Sequence, residues 1–379
     1  MERTCLVVAA ALVGLLAAAP TWAGHALVDL LDAETLEQID PNASVAPDKL
    51  LDLLLVEVVR ERVSAGALSY ATAVPLTPVA GDPMALGSHT RLAVGELLQL
   101  ALLTRSRSAL ATLATAVGPG RERARQRMRR AASRLALRGS IVPDDWLGGR
   151  RLDDDRAVRD AGAIPRTGTP ATTSPQRVVE ARTSLGDLAR LAGAVAGDVE
   201  IRRRLALDGV PIADGAMIVR ATDPLFAPQP SPAAPTRAGG EIEPAMAIEE
   251  RDGLALLAVA SGPEAPRDAW RVVERGLTRY RRVEIVRAGQ AVGGDVEAGG
   301  EVAHVTAVAA QSFALTIPRS GAFALRAWLQ LHVDGERSPA SNQSIGELVF
   351  EQSGRIVGAV PLVAPPPNTP TRWLDTARR

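Results

Sequence analysis

The sequence predicts an α+β protein: a sheet with helices packed on it, followed by a small all-β module. Three observations carry this. Leu50–Val63 and Leu92–Thr104 are apolar runs of helical length. Ala245–Glu250 and Leu254–Ser261 flank Arg251-Asp252-Gly253, a hairpin signal, and the helical pattern Pro266–Tyr280 follows. From about Arg282 onward, short strand patterns alternate with Gly-rich turns.

The elements follow in order. His25–Asp32 reads as a strand and turn, with Thr35–Ile39 as its hairpin partner and Asp40–Ser44 as turn chemistry. Pro47 suits the first turn of a helix, where a missing N–H is no loss. Leu50–Val63 is apolar almost all round, so it is a core helix, and Gly66 ends it. Leu92–Thr104 is a second core helix, joined through Arg105-Ser106-Arg107-Ser108 to a third, Ala109–Val117. Arg121–Arg138 is basic and amphipathic, with Ala124, Met128, Ala131 and Leu135 on its core face and its arginines toward water. Residues 144–180 read as irregular loop. Ser184, followed three residues later by Asp187, resembles a capping box opening a helix with Leu188, Leu191 and Ala192 as its apolar stripe. Ala221–Gly240 is Pro-rich and reads as a long loop. Strand candidates in the last third are Val283–Val286, Val302–Ala307, Phe313–Ile317, Ala327–Val333, Glu347–Glu351 and Ile356–Leu362.

Composition bounds the function. The chain of 379 residues is 46% hydrophobic and only 3% aromatic, a globular composition long enough for two or three domains. Its 43 basic and 43 acidic residues cancel, so no net field favours nucleic acid or an anionic membrane as a partner. Residues 1–23 read as a signal peptide: Arg3, the apolar run Cys5–Ala19, and small residues ahead of cleavage after Ala23. The sole cysteine, Cys5, would leave with it, which removes disulfides, thiol nucleophiles and thiolate metal sites. His25, His89, His304 and His332 share no metal-ligand spacing, and Asp153-Asp154-Asp155 reads as a solvated turn, so no metal and no cofactor is expected. The tail, residues 366–379, is short and Pro-rich, and Thr371–Arg379 is too short and polar for a membrane-lying helix. The expected product is exported and soluble, periplasmic or extracytoplasmic, with a first domain over 24–281 and a second over 282–365.

One residue stands out chemically. Lys49 is the only lysine in the chain, at the head of the first core helix. An ammonium on a flexible stem can give up its proton when buried, which a guanidinium cannot. The alternative is drift in an Arg-rich sequence.

The order of elements resembles the serine D-alanyl-D-alanine carboxypeptidases, the low-molecular-mass penicillin-binding proteins, over roughly His25 to Val363. Ala26-Leu27-Val28-Asp29 is similar to that family's first strand, and Ser184–Ala192 to a helix opening near a Thr-Ala-x-Asp-Leu pattern. Glu250-Arg251-Asp252-Gly253 to Val259 is similar to its last hairpin, and Ile345–Leu348 with Val360–Val363 to the end of its C-terminal module. The resemblance implies a β-lactamase/transpeptidase-like domain, an antiparallel sheet with helices on both sides, followed by a small β-sandwich. It also implies a peptidoglycan stem peptide, or a cell-wall enzyme, as the partner.

The family's chemistry uses three motifs, S-x-x-K, S-x-N and K-T-G. Aligned on Lys49 as the base of the first, the nucleophile position is Ala46, whose methyl group cannot attack a carbonyl. Ser44 is nearby but five residues from Lys49, which is not one-turn spacing. The second motif is similar to Ser106-Arg107-Ser108, with Ser108 where the family has Asn; an ordinary polar connection between helices is the alternative. The third has no match ahead of Ala245–Glu250. Its nearest relic is Pro235-Thr236-Arg237-Ala238-Gly239, where Arg237 is the sole candidate for a substrate-carboxylate cation. Asp214-Gly215 leads to no cation, and Arg166-Thr167-Gly168-Thr169 mimics the string in the wrong place.

The sequence therefore predicts a carboxypeptidase-like protein of cell-wall metabolism that has lost the reaction and acts by binding. Two alternatives stay open. One is an active serine carboxypeptidase with Ser44 or Ser106 as a displaced nucleophile. The other is a structural or assembly protein acting through its β module.

Overall fold

The computed structural model describes residues 24–365, except 80–81, 83–89, 119, 143–145, 148–149, 152–182, 208, 213–216, 221–224, 229–242, 299–300, 321–322 and 333–339. The expected signal segment and tail, Cys5, His89, Asp153–Asp155, Arg166–Thr169, Asp214-Gly215 and Arg237 lie outside the described residues. The chain forms two compact units. One runs to Glu249 and includes Ala255–Glu274; the other comprises Glu250–Leu254 and Arg275 onward.

In chain order the elements up to the last helix are β1 (His25–Asp29), β2 (Glu34–Ile39), β3 (Ser44–Val45), α1 (Asp48–Ser64), β4 (Ala73–Pro75), β5 (Arg91–Ala93), α2 (Val94–Thr104), α3 (Arg107–Ala116) and α4 (Arg121–Arg134). There follow β6 (Trp146–Leu147), β7 (Arg150–Arg151), β8 (Thr183–Ser184), α5 (Leu185–Ala196), α6 (Val199–Leu205), β9 (Gly209–Ile212), β10 (Met217–Arg220), β11 (Ala245–Arg251), β12 (Leu254–Ala260) and α7 (Ala265–Arg279). The main sheet has the order β11-β12-β1-β2, and β1 pairs antiparallel with both neighbours, Leu27 lying opposite Ala258 and Glu37. Asp252 and Gly253, both at positive φ, make the tight turn joining β11 to β12, as the Asp-Gly signal requires.

The core explains the helices. Leu50, Leu53, Leu54, Leu55, Val56 and Val59 of α1 are fully buried, each leucine contributing about 1.5–3 kcal/mol by leaving water. Helix α1 packs against α4 and α5, and α5 packs on β1. Ala26, Val28, Leu257 and Val259 join the cluster built around these helices, while Leu27, Leu256 and Ala258, of opposite strand parity, are buried outside it. Both faces of the sheet are thus covered. Gly66 follows the C-cap of α1 at φ +68, the left-handed position glycine favours.

Differences from expectation have local causes. Helix α4 stops at Arg134 rather than Arg138, because Ala136 takes φ +52 and turns the chain. Helix α6 was not expected; Asp198 caps it by accepting the N–H groups of Glu200 and Ile201. Within 221–240, expected to be one long loop, Leu225–Pro228 is docked through its backbone.

The second unit holds β13 (Tyr280–Val286), β14 (Ala291–Ala298), β15 (Glu301–Ala309), β16 (Phe313–Pro318), β17 (Leu325–Leu331), β18 (Ser344–Gln352) and β19 (Arg355–Val363). Five strands form an antiparallel sheet, β14-β15-β19-β18-β17, and β13 pairs with β16. Phe313 of β16 stacks on Phe350 of β18, centroids 4.6 Å apart, so the ribbon packs face to face on the sheet. A Cβ at Gly358 would lie 2.3 Å from the Phe313 ring, so the stack needs glycine there. Strand β14, with glycines at 293 and 294, was not among the expected strands.

Candidate functional site

The site is built around the start of α1. Strand β3 leads in, its Ser44 and Val45 paired with Ser184 and Thr183 of β8. Ala46 follows, half-buried, and Pro47 occupies the N-cap. The side chain of Ser44 is exposed and its backbone lies in this ribbon, outside the helix.

Lys49, in the first turn, donates from Nζ to the carbonyl of Pro244 at 2.8 Å. Pro244 is the residue before β11, so the lone ammonium reaches the head of the sheet's outer strand. Asp52, one turn after Lys49, is fully buried and accepts from Arg105 Nε at 3.0 Å. Arg105 ends α2 in the left-handed conformation, φ 49° and ψ 37°. Spacing three on a helix puts Lys49 and Asp52 on one face. The Asp52–Arg105 pair therefore ties the end of α2, just ahead of Ser106, to α1, although nothing in the sequence relates them. Asp52 and Arg105 were both missed by sequence reasoning. A carboxylate inside an otherwise apolar helical run is the signal that finds Asp52, since such a charge requires a partner.

The two serines of the candidate second motif lie deep, each 2% exposed. Ser106 caps α3: its Oγ accepts the Ala109 N–H at 3.2 Å and donates to Asp82 Oδ2 at 2.8 Å. The same carboxylate oxygen accepts the Ser108 N–H at 2.6 Å. Ser108 Oγ accepts the Val79 N–H at 3.0 Å. One turn on, Thr112 donates its hydroxyl to the Ser108 carbonyl and accepts the Thr77 N–H at 2.8 Å. Ser106 and Ser108 thus fasten Val79 and Asp82, and Thr112 fastens Thr77, onto the first turns of α3. The single hydroxyl proton of Ser106 is directed at Asp82.

A third feature was not expected. Ala227 donates its N–H to the Met246 carbonyl at 2.6 Å, so Leu225–Pro228 runs along the outer edge of β11. The segment is held at both ends. Leu225 N–H bonds the Leu102 carbonyl at 2.9 Å, and Trp270 Nε1 donates to the carbonyls of Ala227 (3.2 Å) and Pro228 (2.9 Å). Leu225 is fully buried and Phe226 nearly so. Neither Leu225–Pro228 nor Glu243–Ala247 contains a lysine, arginine, serine or threonine. These two stretches therefore supply no cation for a carboxylate and no hydroxyl.

Chemically, the described arrangement offers an ammonium hydrogen-bonded to a backbone carbonyl, a buried Asp–Arg pair, and serines engaged in caps. Among the described residues no group of three or more His, Cys, Asp and Glu is placed to hold a metal ion. No helix formed by them is long and apolar enough to cross a membrane.

No family model and no curated protein matches the sequence. Solved structures do match it. A penicillin-binding protein from Streptococcus pneumoniae, described as a peptidoglycan synthesis regulatory factor, is 16% identical with a TM-score of 0.63, over 91% of this chain and 98% of that one. Penicillin-binding protein 5 from Haemophilus influenzae is 14% identical, TM-score 0.57, over 91% and 96%. A D-alanyl-D-alanine carboxypeptidase from Francisella tularensis is 14% identical, TM-score 0.52, over 91% and 93%. The likeness spans nearly the whole length of both partners in each case. The chain thus has the fold of the low-molecular-mass penicillin-binding proteins, an antiparallel sheet with helices followed by a β-sandwich, as the sequence resemblance implies.

Proposed function

We propose that this protein is an exported, non-catalytic relative of the D-alanyl-D-alanine carboxypeptidases that acts in peptidoglycan metabolism by binding a stem peptide or a cell-wall enzyme. The observation that carries the reading is Ala46, three residues before the only lysine, at the head of α1. Acyl transfer needs an oxygen or sulfur nucleophile beside a base, and a methyl group is neither. Removing the nucleophile of another serine hydrolase cost on the order of a million-fold in rate. The other two motifs point the same way. Ser106 is committed to Asp82 and a helix cap, and the stretch ahead of β11, where the third motif would stand, has no lysine.

A fluorescent penicillin tests the loss of activity on the purified protein. The expected result is no covalent label after denaturation. A labelled band of the right mass overturns the reading, and its disappearance in Ser44→Ala would place the nucleophile there. Calorimetric titration with a muropeptide ending in D-Ala-D-Ala then separates the two binding partners. Heat of binding supports the stem peptide; none assigns the role to a protein partner.

A further inference from the structure

Helix α4 carries the most concentrated charge in a chain whose net charge is zero: its 14 residues include seven arginines and one glutamate. Some of that charge is answered. Arg125 pairs with Glu122, and Arg134 pairs with Glu61 and with the buried Glu57 at 3.3 Å. Arg123, Arg127 and Arg130 make no ion pair with any described residue. They recur at i, i+4 and i+7, one stripe about 10 Å long. With Gln126 and Glu122 they line a surface groove of about 560 Å³. Like charges at these spacings repel, so the helix holds a strain that an anion in the groove would relieve.

We propose that Arg123, Arg127 and Arg130 form a binding surface for a linear polymer with phosphodiester groups along its backbone. Guanidinium forks match the paired oxygens of phosphate. Three of them in a row match a repeating ligand better than a single ion. A bilayer fits less well, because the apolar residues of α4, Ala124, Met128 and Ala131, are fully buried and leave nothing to insert. A single-stranded nucleic acid fits less well too, since α4 has no aromatic side chain for base stacking. This surface is independent of the fate of Lys49.

The test is fluorescence anisotropy of a labelled poly(glycerol phosphate) oligomer with the full protein. Saturable binding should weaken with salt, with a log–log slope of about −2 for three contacts on a flexible chain. The triple variant Arg123→Gln, Arg127→Gln, Arg130→Gln should bind at least about tenfold more weakly at low salt. It should unfold no earlier than the parent, because repulsion is removed. If it does unfold, Arg123→Gln and Arg130→Gln alone should each lower the slope by about 0.7. Arg287→Gln, an exposed arginine of the second unit paired with Glu284, should change nothing. Unchanged binding by the triple variant overturns the proposal. So does equal affinity for polyglutamate of matched length, or tighter binding to anionic vesicles or single-stranded DNA.

Discussion

At the start of α5, Ser184 accepts the Asp187 N–H at 3.2 Å, and the Asp187 carboxylate gathers Gly139 N–H (2.7 Å), the Ser140 hydroxyl (2.8 Å) and Arg190 (3.1 Å). At the start of α3, Ser106 accepts the Ala109 N–H, and the Asp82 carboxylate gathers the Ser106 hydroxyl and the Ser108 N–H. Both helices open on a capping serine, and in both a nearly buried aspartate ties a distant loop to the first turn. The difference is where the aspartate comes from. In α5 it belongs to the helix; in α3 it arrives from 24 residues upstream. The comparison teaches that Ser106 does what an ordinary capping serine does. Its hydroxyl donates to Asp82 and accepts from Ala109 N–H, bonds a structural role accounts for.

The largest effect expected is at Asp187. Alanine there strands the Gly139 N–H, leaves the Ser140 hydroxyl with Thr183 alone, and removes an anion from a helix N-terminus, for a cost of about 3 kcal/mol. Urea unfolding should show a lower midpoint with an unchanged slope. A loss under about 1 kcal/mol would mean that the 139–140 loop is held by other contacts, and the likeness between the two helix starts would fail.

Asp82→Ala should come next, at about 2 kcal/mol, since it strands the Ser106 hydroxyl and the Ser108 N–H. Asp82→Asn should recover part of this, because one carboxamide oxygen still accepts. Equal losses in the two variants would show that the charge of Asp82, rather than its acceptor role, holds it to the start of α3.

What the sequence made legible divides along the same line. The cap of α5 could be read because serine and aspartate stand three residues apart. The tight turn at Asp252-Gly253 and the end of α1 at Gly66 were local for the same reason. The Ser106–Asp82 bond, the Asp52–Arg105 pair and the Lys49–Pro244 bond join residues 24, 53 and 195 apart. No pattern with a period of two or 3.6 encodes such contacts. Leu225–Pro228 was hidden differently. Its bonds to Leu102, Met246 and Trp270 all use its backbone, which leaves no side-chain signature, and the prolines of 221–240 read as loop. The proposed loss of the nucleophile rests on a local pattern as well, Ala46 three residues before Lys49.

The smallest effect is the most discriminating. Ser106→Ala and Ser184→Ala should each cost about 1 kcal/mol, the ordinary price of a lost N-cap. A structural Ser106 predicts that the two variants lose stability alike and that neither alters binding of a muropeptide or labelling by a penicillin. Thermal melts of the two, run beside the parent, measure the first half. The second half separates the readings, because a serine that contacts ligand changes affinity even when it changes stability little. Should Ser106→Ala weaken muropeptide binding at least about tenfold, or 1.4 kcal/mol, while Ser184→Ala does not, the two helix starts are no longer equivalent. Ser106 would then be a contact in the binding groove as well as a cap.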